Sequence, residues 1–181
     1  MQNNFHPWHH VSYGANTPEY VTGLIEIPSG TKAKYEIDKV SGMLKLDRVL
    51  FSAVHYPTNY GFVPQTLCGD GDPLDILVIS SVSMERLSIV ECKIIGVMRM
   101  TDEGATDDKL IAVPRFDVYV NHINELEDLP PHTLPEIKRF FEDYQILENQ
   151  CVTVDAFEGR ASAYQILKDN IEAYKAKFGN K

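Results

Sequence analysis

The sequence has few cysteines and few cationic residues, and each shortage narrows the classes of protein to which it can belong. Three cysteines in 181 residues, odd in number and widely spaced, favour free thiols in a reducing compartment over a disulfide framework. Lys and Arg total 17 against 26 Asp and Glu, which gives a formal net charge of −9. A nucleic-acid-binding surface normally carries a basic excess, so general nucleic-acid binding is not expected.

Signals for export and for membrane insertion are missing as well. The opening stretch, MQNNFHPWHHVSYG, has no charged segment followed by an apolar one, so we expect no signal peptide. No apolar run approaches the ~18 residues of a membrane helix. We therefore expect a cytoplasmic protein with no membrane partner. An apolar content of 44% suits a single domain over residues 1–181, with residues 1–20 as an N-terminal arm.

The most informative stretch is an acidic loop followed by an apolar run. Residues 69–79 read GDGDPLDILVI, with Asp70 and Asp72 on the loop and Asp75 at the mouth of a predicted buried strand. Three carboxylates beside a core are unfavourable unless a cation neutralises them. Hard divalent ions prefer carboxylate oxygen. The stretch therefore predicts a magnesium-type site.

Three familiar loops that bind metals or phosphates do not match this stretch. An EF-hand would need an oxygen ligand where Leu74 stands and a bidentate glutamate where Ser81 stands. The DxD loop of aspartyl-phosphate phosphatases follows a buried strand, whereas here the strand follows the loop. A GxxxxGK[ST] motif, the signature of P-loop proteins, is absent from the sequence.

The rest of the chain is typical of a mainly β fold of the α+β class. Residues 88–100 are predicted to form a bent strand with Gly96 at a bulge or a barrel corner, and a second acidic loop, TDEGATDDK, follows. Apolar stripes at helical spacing predict two helices, over residues 133–147 and 161–178. Many short strands followed by helices indicate a small β-barrel with the helices packed on it. The other predicted strands cover residues 21–27, 34–38, 44–50, 110–114 and 152–157.

Two segments allow both a structural and a functional interpretation. Alternation over residues 34–38 places Lys34, Glu36 and Asp38 on one face, which is either solvated or part of a site. The segment HYPTNYGFVP is a rigid loop that enters a short strand. Its tyrosines, Tyr56 and Tyr60, either pack in the core or direct their hydroxyls at a ligand.

Several segments together resemble the soluble inorganic pyrophosphatases of family I. In chain order they are KYEIDKVSGMLKLDR, YPTNYGFVP, GDGDPLDILV, TDEGATDDK and RFFEDY, and the match covers roughly residues 20–150. The resemblance implies an OB-like closed five-stranded β-barrel with additional short strands and two main flanking helices. It implies hydrolysis of inorganic diphosphate to two phosphates by a water molecule activated between Mg²⁺ ions. It also implies a homo-oligomer, hexameric if the chain is of bacterial type.

The resemblance assigns a role to each matched residue. Asp72 matches the carboxylate beside the attacking water. The metal ligands that it implies are Asp70, Asp75, Asp107, Asp102 and Glu36. The phosphate-binding groups that it implies are Lys34, Arg48, Tyr60, Lys109 and Tyr144. Glu26 matches a carboxylate that acts on the metals through water, and Tyr56 matches a tyrosine that supports the site from behind.

One position departs from the family pattern. The tyrosine of the FFExY motif is commonly followed by a lysine that contacts phosphate, but Tyr144 is followed by Gln145. Glutamine can donate hydrogen bonds but carries no charge. We therefore expect this chain to bind magnesium diphosphate more weakly than relatives that have the lysine.

Two other functions remain open from the sequence. A hydrolase of nucleotide di- or triphosphates would use the same metal chemistry, although no base-binding feature is evident. An OB-like nucleic-acid module would stack bases on Tyr56, Tyr60 and Phe62, but its groove should be basic, and the carboxylates argue against it.

Overall fold

The structure is a computed structural model that describes residues 5–179. Two short 3₁₀ helices cover Leu126–Asp128 and Ile146–Glu148. The other elements in this range are, in chain order, α1 (Pro7–His10), β1 (Tyr20–Ile27), β2 (Ala33–Ile37), β3 (Leu44–Val49), β4 (Asn59–Phe62), β5 (Asp75–Val78), β6 (Ile89–Asp102), β7 (Ala105–Thr106), β8 (Lys109–Pro114), α2 (Thr133–Asp143), β9 (Val152–Gly159) and α3 (Arg160–Phe178).

The larger sheet is organised around β6. This 14-residue strand pairs antiparallel with β1, β7, β8 and β9. β5 pairs in parallel with β8, and β4 joins β5 to β1 through antiparallel pairs. The pairing therefore runs from β1 through β4, β5, β8 and β6 back to β1, while β2 and β3 form a separate hairpin. The chain is mainly β with few helices.

The predicted irregularity at Gly96 is confirmed. The register between β6 and β8 shifts between Ile94 and Gly96. A Cβ atom on Gly96 would lie 2.6 Å from the Leu126 side chain and 2.7 Å from the Glu158 carbonyl oxygen. Glycine is thus needed here because two other segments approach the backbone closely.

Gly61 in β4 has a similar role against β1, and its replacement by alanine is expected to destabilise the fold strongly. A Cβ atom there would lie 1.9 Å from the Leu24 carbonyl oxygen, so the two strands would have to separate. We expect Gly61→Ala to lower the free energy of unfolding by about 3 kcal/mol, the upper end of the cost of overpacking. Chemical denaturation measures this, with Gly159→Ala as the control, because a Cβ on Gly159 meets nothing within 4 Å. Equal stability of the two variants would refute the expectation.

The helices cover two sides of the sheet. Phe140 and Phe141 of α2 belong to one buried apolar cluster with residues of β1, β5, β6 and β8. Leu167 and Ile171 of α3 belong to a second cluster with residues of the same strands. The larger sheet is therefore packed on both sides by apolar side chains of the helices.

The N-terminal segment is more ordered than predicted. Residues 1–4 of the expected arm lie outside the described range, but Pro7–His10 forms a short helix that His6 caps by accepting the Trp8 N–H at 3.3 Å. The Trp8 indole is buried and donates to the Thr66 carbonyl oxygen at 2.9 Å. His9 Nδ1 lies 2.6 Å from the Tyr174 hydroxyl on α3. These contacts attach the segment to the domain.

Candidate active site

One cavity of about 430 Å³ collects most of the residues singled out from the sequence. Eight carboxylates and three lysines line it. It opens between the β2–β3 hairpin, the acidic loop before β5 and the strand ends around β7. Eleven of the thirteen predicted site residues line this cavity, namely Glu26, Lys34, Glu36, Tyr60, Asp70, Asp72, Asp75, Asp102, Asp107, Lys109 and Tyr144.

Two predicted residues, Tyr56 and Arg48, do not line the cavity. Tyr56 is buried behind it, and its ring centre lies 5.6 Å from that of Tyr60 and 4.7 Å from that of Phe140. Arg48 is held by Glu148, with Nη1 of the arginine 3.0 Å from Oε2 of the glutamate. Tyr56 is therefore a packing residue in this structure, and Arg48 lies at the periphery.

The acidic loop is shaped by its own backbone. Gly71 has φ +92°, a left-handed conformation that glycine adopts without strain. The Asp72 N–H donates to Oδ1 of Asp70 at 2.9 Å, and the Cys68 N–H donates to the Asp72 carbonyl oxygen at 2.7 Å. The loop ends where the Leu74 N–H donates to the Thr66 hydroxyl at 2.8 Å. These bonds turn Asp70, Asp72 and Asp75 towards one cavity.

The centre of the site is a lysine between two aspartates. β5 and β8 pair in parallel with Asp75 opposite Lys109, and the lysine Nζ lies 2.7 Å from Asp75 and 2.8 Å from Asp107. The Tyr60 hydroxyl donates to the same Asp75 oxygen. Burial lowers the pKa of Lys109, but the two carboxylates outweigh burial and raise that pKa. Lys109 is therefore a buried cation that neutralises Asp75 and Asp107.

Glu26 lies deeper than the other carboxylates. Its Oε1 accepts the Ile37 N–H at 2.6 Å and so links β1 to β2. Burial chiefly, with smaller contributions from Asp75 and Glu36, raises its pKa to about 8. Without a nearby cation, Glu26 is therefore protonated at neutral pH.

Replacing Glu26 with glutamine is expected to make stability less dependent on pH when a chelator removes metal. The unfolded chain ionises Glu26 near the ordinary value of 4.5, whereas the folded chain keeps it protonated up to about 8. The wild-type free energy of unfolding therefore falls as the pH rises through this window. Glutamine does not titrate and can still accept the Ile37 N–H. Chemical denaturation at several pH values should show that the free energy of unfolding of the variant, relative to that of wild type, increases as the pH rises. A difference between the two proteins that stays constant with pH would contradict this expectation.

Asp102 and Tyr144 form the wall opposite the acidic loop. Oδ1 of Asp102 is buried and accepts no hydrogen bond within residues 5–179. Burial, and then the charge of Asp107, raise the pKa of Asp102. Tyr144 is buried, and its hydroxyl accepts a hydrogen bond from Nε2 of Gln145 at 2.6 Å.

The residues present fit a hard divalent cation by their chemistry. Carboxylates outnumber ammonium groups in the cavity, and an orphaned oxygen on Asp102 points to a missing positive partner. Within residues 5–179, however, no three His, Cys, Asp or Glu side chains are grouped so that they could hold a metal ion. The ammonium of Lys109 occupies the position between Asp75 and Asp107.

Sequence reasoning missed two polar residues at this site. Lys39 lines the cavity and makes an ion pair with Asp72, although it lies in the turn of the β2–β3 hairpin. Glu148, in the turn after α2, is the partner that holds Arg48. Lys39 belongs to the KYEIDK segment, but nothing in its spacing indicated a contact with the acidic loop. Glu148 had no signal at all, since its role depends on a contact with a distant hairpin.

The cysteines, Cys68, Cys92 and Cys151, are all free. Within the described residues, none of the helices combines the length and the apolar character required to span a bilayer. Lys34 is shared between Asp47 at 3.0 Å and Glu36 at 3.6 Å on the hairpin.

Comparisons with known proteins identify the family of this chain. The family model for inorganic pyrophosphatase matches residues 23–175. Soluble inorganic pyrophosphatase 2 from Chlamydomonas reinhardtii is 49% identical over 94% of this chain and 88% of its own length. The crystal structure of inorganic pyrophosphatase from Thermus thermophilus superposes with a TM-score of 0.89 at 38% identity, over 93% of this chain and 98% of that one. For the Helicobacter pylori inorganic pyrophosphatase the TM-score is 0.86 at 45% identity, over 92% and 98% of the two chains. This chain belongs to the inorganic pyrophosphatase family.

Proposed function

We propose that this protein hydrolyses inorganic diphosphate to two phosphates with Mg²⁺ as cofactor. The observation that carries the proposal is the cavity in which Asp75 and Asp107 flank Lys109 and further carboxylates surround them. Membership of the inorganic pyrophosphatase family supports the same substrate. In the reaction, water adds to one phosphorus atom, the bond from that phosphorus to the bridging oxygen breaks, and the other phosphate leaves with that oxygen.

The carboxylates are proposed to divide into metal ligands and one proton acceptor. Bound Mg²⁺ would offset the charge of the substrate and lower the pKa of a water molecule. Asp72 on the loop is proposed to orient the attacking water and accept its proton. Glu26 is proposed to act on the metals through water. The proposed metal ligands are Asp70, Asp75, Asp107, Asp102 and Glu36.

The cationic and hydroxyl groups are proposed to hold the phosphate oxygens. Lys109 is proposed to turn from its aspartates to a phosphate oxygen once a metal neutralises those carboxylates. Tyr144 is proposed to contribute a neutral O–H donor to the charge that develops on the leaving phosphate. Tyr60 donates its O–H to Asp75 in this structure and is proposed to turn it to phosphate once a metal binds Asp75. Lys34 adds a mobile charge on the hairpin. Arg48, released from Glu148, would supply the planar fork suited to phosphate.

The finer architecture is also part of the proposal. The circuit of pairs from β1 through β4, β5, β8 and β6 supports an OB-like closed five-stranded barrel, within a single domain. The neighbouring side chains Phe116, Val118 and Tyr119 are 75–79% exposed, which supports association into a homo-oligomer.

A comparison of substrates tests the proposed function. We expect rapid phosphate release from magnesium diphosphate and much slower release from magnesium ATP, because no base-binding feature accompanies the cavity. Faster turnover of ATP would favour the nucleotide hydrolase instead. Salt-dependent binding of an oligonucleotide, without hydrolysis of either compound, would favour the nucleic-acid module.

A further inference from the structure

Gln145 is the residue at which this chain departs from the family pattern, and the fold buries it in the wall of the cavity. It lies two residues after the end of α2, and its carbonyl oxygen accepts the Glu148 N–H at 2.9 Å in a tight turn. Its side chain lines the cavity, and the residue is only 5% exposed. Burial of a side-chain amide is unfavourable unless its polar atoms form hydrogen bonds.

The amide nitrogen of Gln145 donates a hydrogen bond within the proposed site. Its acceptor is the Tyr144 hydroxyl oxygen, 2.6 Å from Nε2. Burial and the charge of Asp107 raise the pKa of Asp102, and the interaction with the Gln145 side chain acts in the opposite direction. The amide oxygen has no hydrogen-bond partner within residues 5–179, so donation is the role that the contacts define.

The direction of the bond to Tyr144 decides what its hydroxyl can do. A tyrosine hydroxyl has a single O–H to donate, and its oxygen also accepts. Because the oxygen already accepts from Gln145, the O–H remains available for another acceptor. A side chain that only accepts would take that proton, and an apolar side chain would leave the hydroxyl free to rotate.

We propose that Gln145 is a positioning residue that directs the Tyr144 O–H towards a phosphate oxygen of the substrate, an inference that rests on the function proposed above. The lysine common in the family is a donor as well, so Gln145 keeps the donor function of the position and gives up its charge. Gln145 thus acts through Tyr144 without contacting phosphate itself.

A double-mutant cycle on kcat/KM for magnesium diphosphate tests this proposal. Gln145→Met should lower kcat/KM by about tenfold, and Tyr144→Phe by about tenfold to a hundredfold, the range for hydrogen bonds to charged groups. In the Tyr144→Phe background, Gln145→Met should change kcat/KM less than about twofold, since the hydroxyl through which it acts is gone. Gln145→Lys, which retains the donor, should match or exceed wild type. Gln150→Met is the control for the same change in the same turn.

A purely structural role predicts a different outcome. Gln145→Met would then lower kcat/KM by the same factor in both backgrounds, which would overturn the proposal. If Gln145→Met fails to fold, Gln145→Leu removes the donors without adding charge and should likewise lose most of its effect in the Tyr144→Phe background. The same cycle on the calorimetric affinity for inorganic phosphate measures the coupling between Gln145 and Tyr144 without turnover. An inactive wild type would refute the proposed function, whereas an active wild type without coupling would refute only the role of Gln145.

Discussion

Asp75→Asn is expected to lower kcat for magnesium diphosphate by about a thousandfold, the upper end of what removing one electrostatic group from an active site typically costs. Asparagine has nearly the same shape and can still accept from Tyr60 and Lys109, so the local packing should persist. It lacks the negative charge that holds a divalent cation. The loss should therefore appear in kcat and in the calorimetric affinity for Mg²⁺.

An exposed aspartate provides the matched control for Asp75. Asp169 lies on the surface of α3 and accepts a hydrogen bond from Gln165 at 2.8 Å, away from the cavity. Asp169→Asn should leave both kcat and Mg²⁺ affinity at wild-type values. A properly folded Asp75→Asn variant with more than a tenth of wild-type activity would exclude Asp75 as a principal ligand.

Lys109→Met is expected to abolish activity and to destabilise the metal-free protein by about 3 kcal/mol or more. The residue is 2% exposed and lies between Asp75 and Asp107, so its removal leaves two buried carboxylates without their cation. Removing one partner of a buried ion pair typically lowers the free energy of unfolding by about 3–5 kcal/mol. Chemical denaturation in the presence of a chelator measures the effect.

Mg²⁺ should partly reverse the destabilisation caused by Lys109→Met. A cation bound by Asp75 and Asp107 would take over the neutralising role of the ammonium, and a ligand that binds the folded state stabilises it by mass action. We therefore expect Mg²⁺ to raise the melting temperature of the variant more than that of wild type. Lys168→Met, on the exposed face of α3, is the control. An equal response of the variant and wild type to Mg²⁺ would show that Lys109 does not occupy the cation position.

The sequence predicted those parts of the site that depend on local chemistry. Six consecutive residues contain Asp70, Gly71, Asp72 and Asp75. Their charge and turn-forming residues were sufficient to predict a bound cation. The roles of the separate residues came from the family pattern, and they remain proposals. The position of Lys109 between Asp75 and Asp107 could not be predicted, because it depends on the parallel pairing of β5 with β8.

Contacts between distant segments explain the rest of what the sequence did not predict. The sequence predicted only an N-terminal arm over residues 1–20, yet Trp8 lines the cavity, as Lys39 does. Glu148 holds Arg48 across the gap between the turn after α2 and the hairpin. Strand positions followed from alternation and Gly punctuation, whereas the pairing of β1 with β6 depends on tertiary packing that periodicity does not encode.

Phosphate release from magnesium diphosphate, followed in one sample while metal is removed and restored, tests the central claim most directly. The proposed site predicts steady release by the wild-type protein, its arrest when a chelator is added, and its recovery when excess Mg²⁺ is returned. A folded protein saturated with Mg²⁺ that releases no phosphate, or one whose release continues unchanged in the chelator, would contradict a metal-dependent diphosphatase built on these carboxylates.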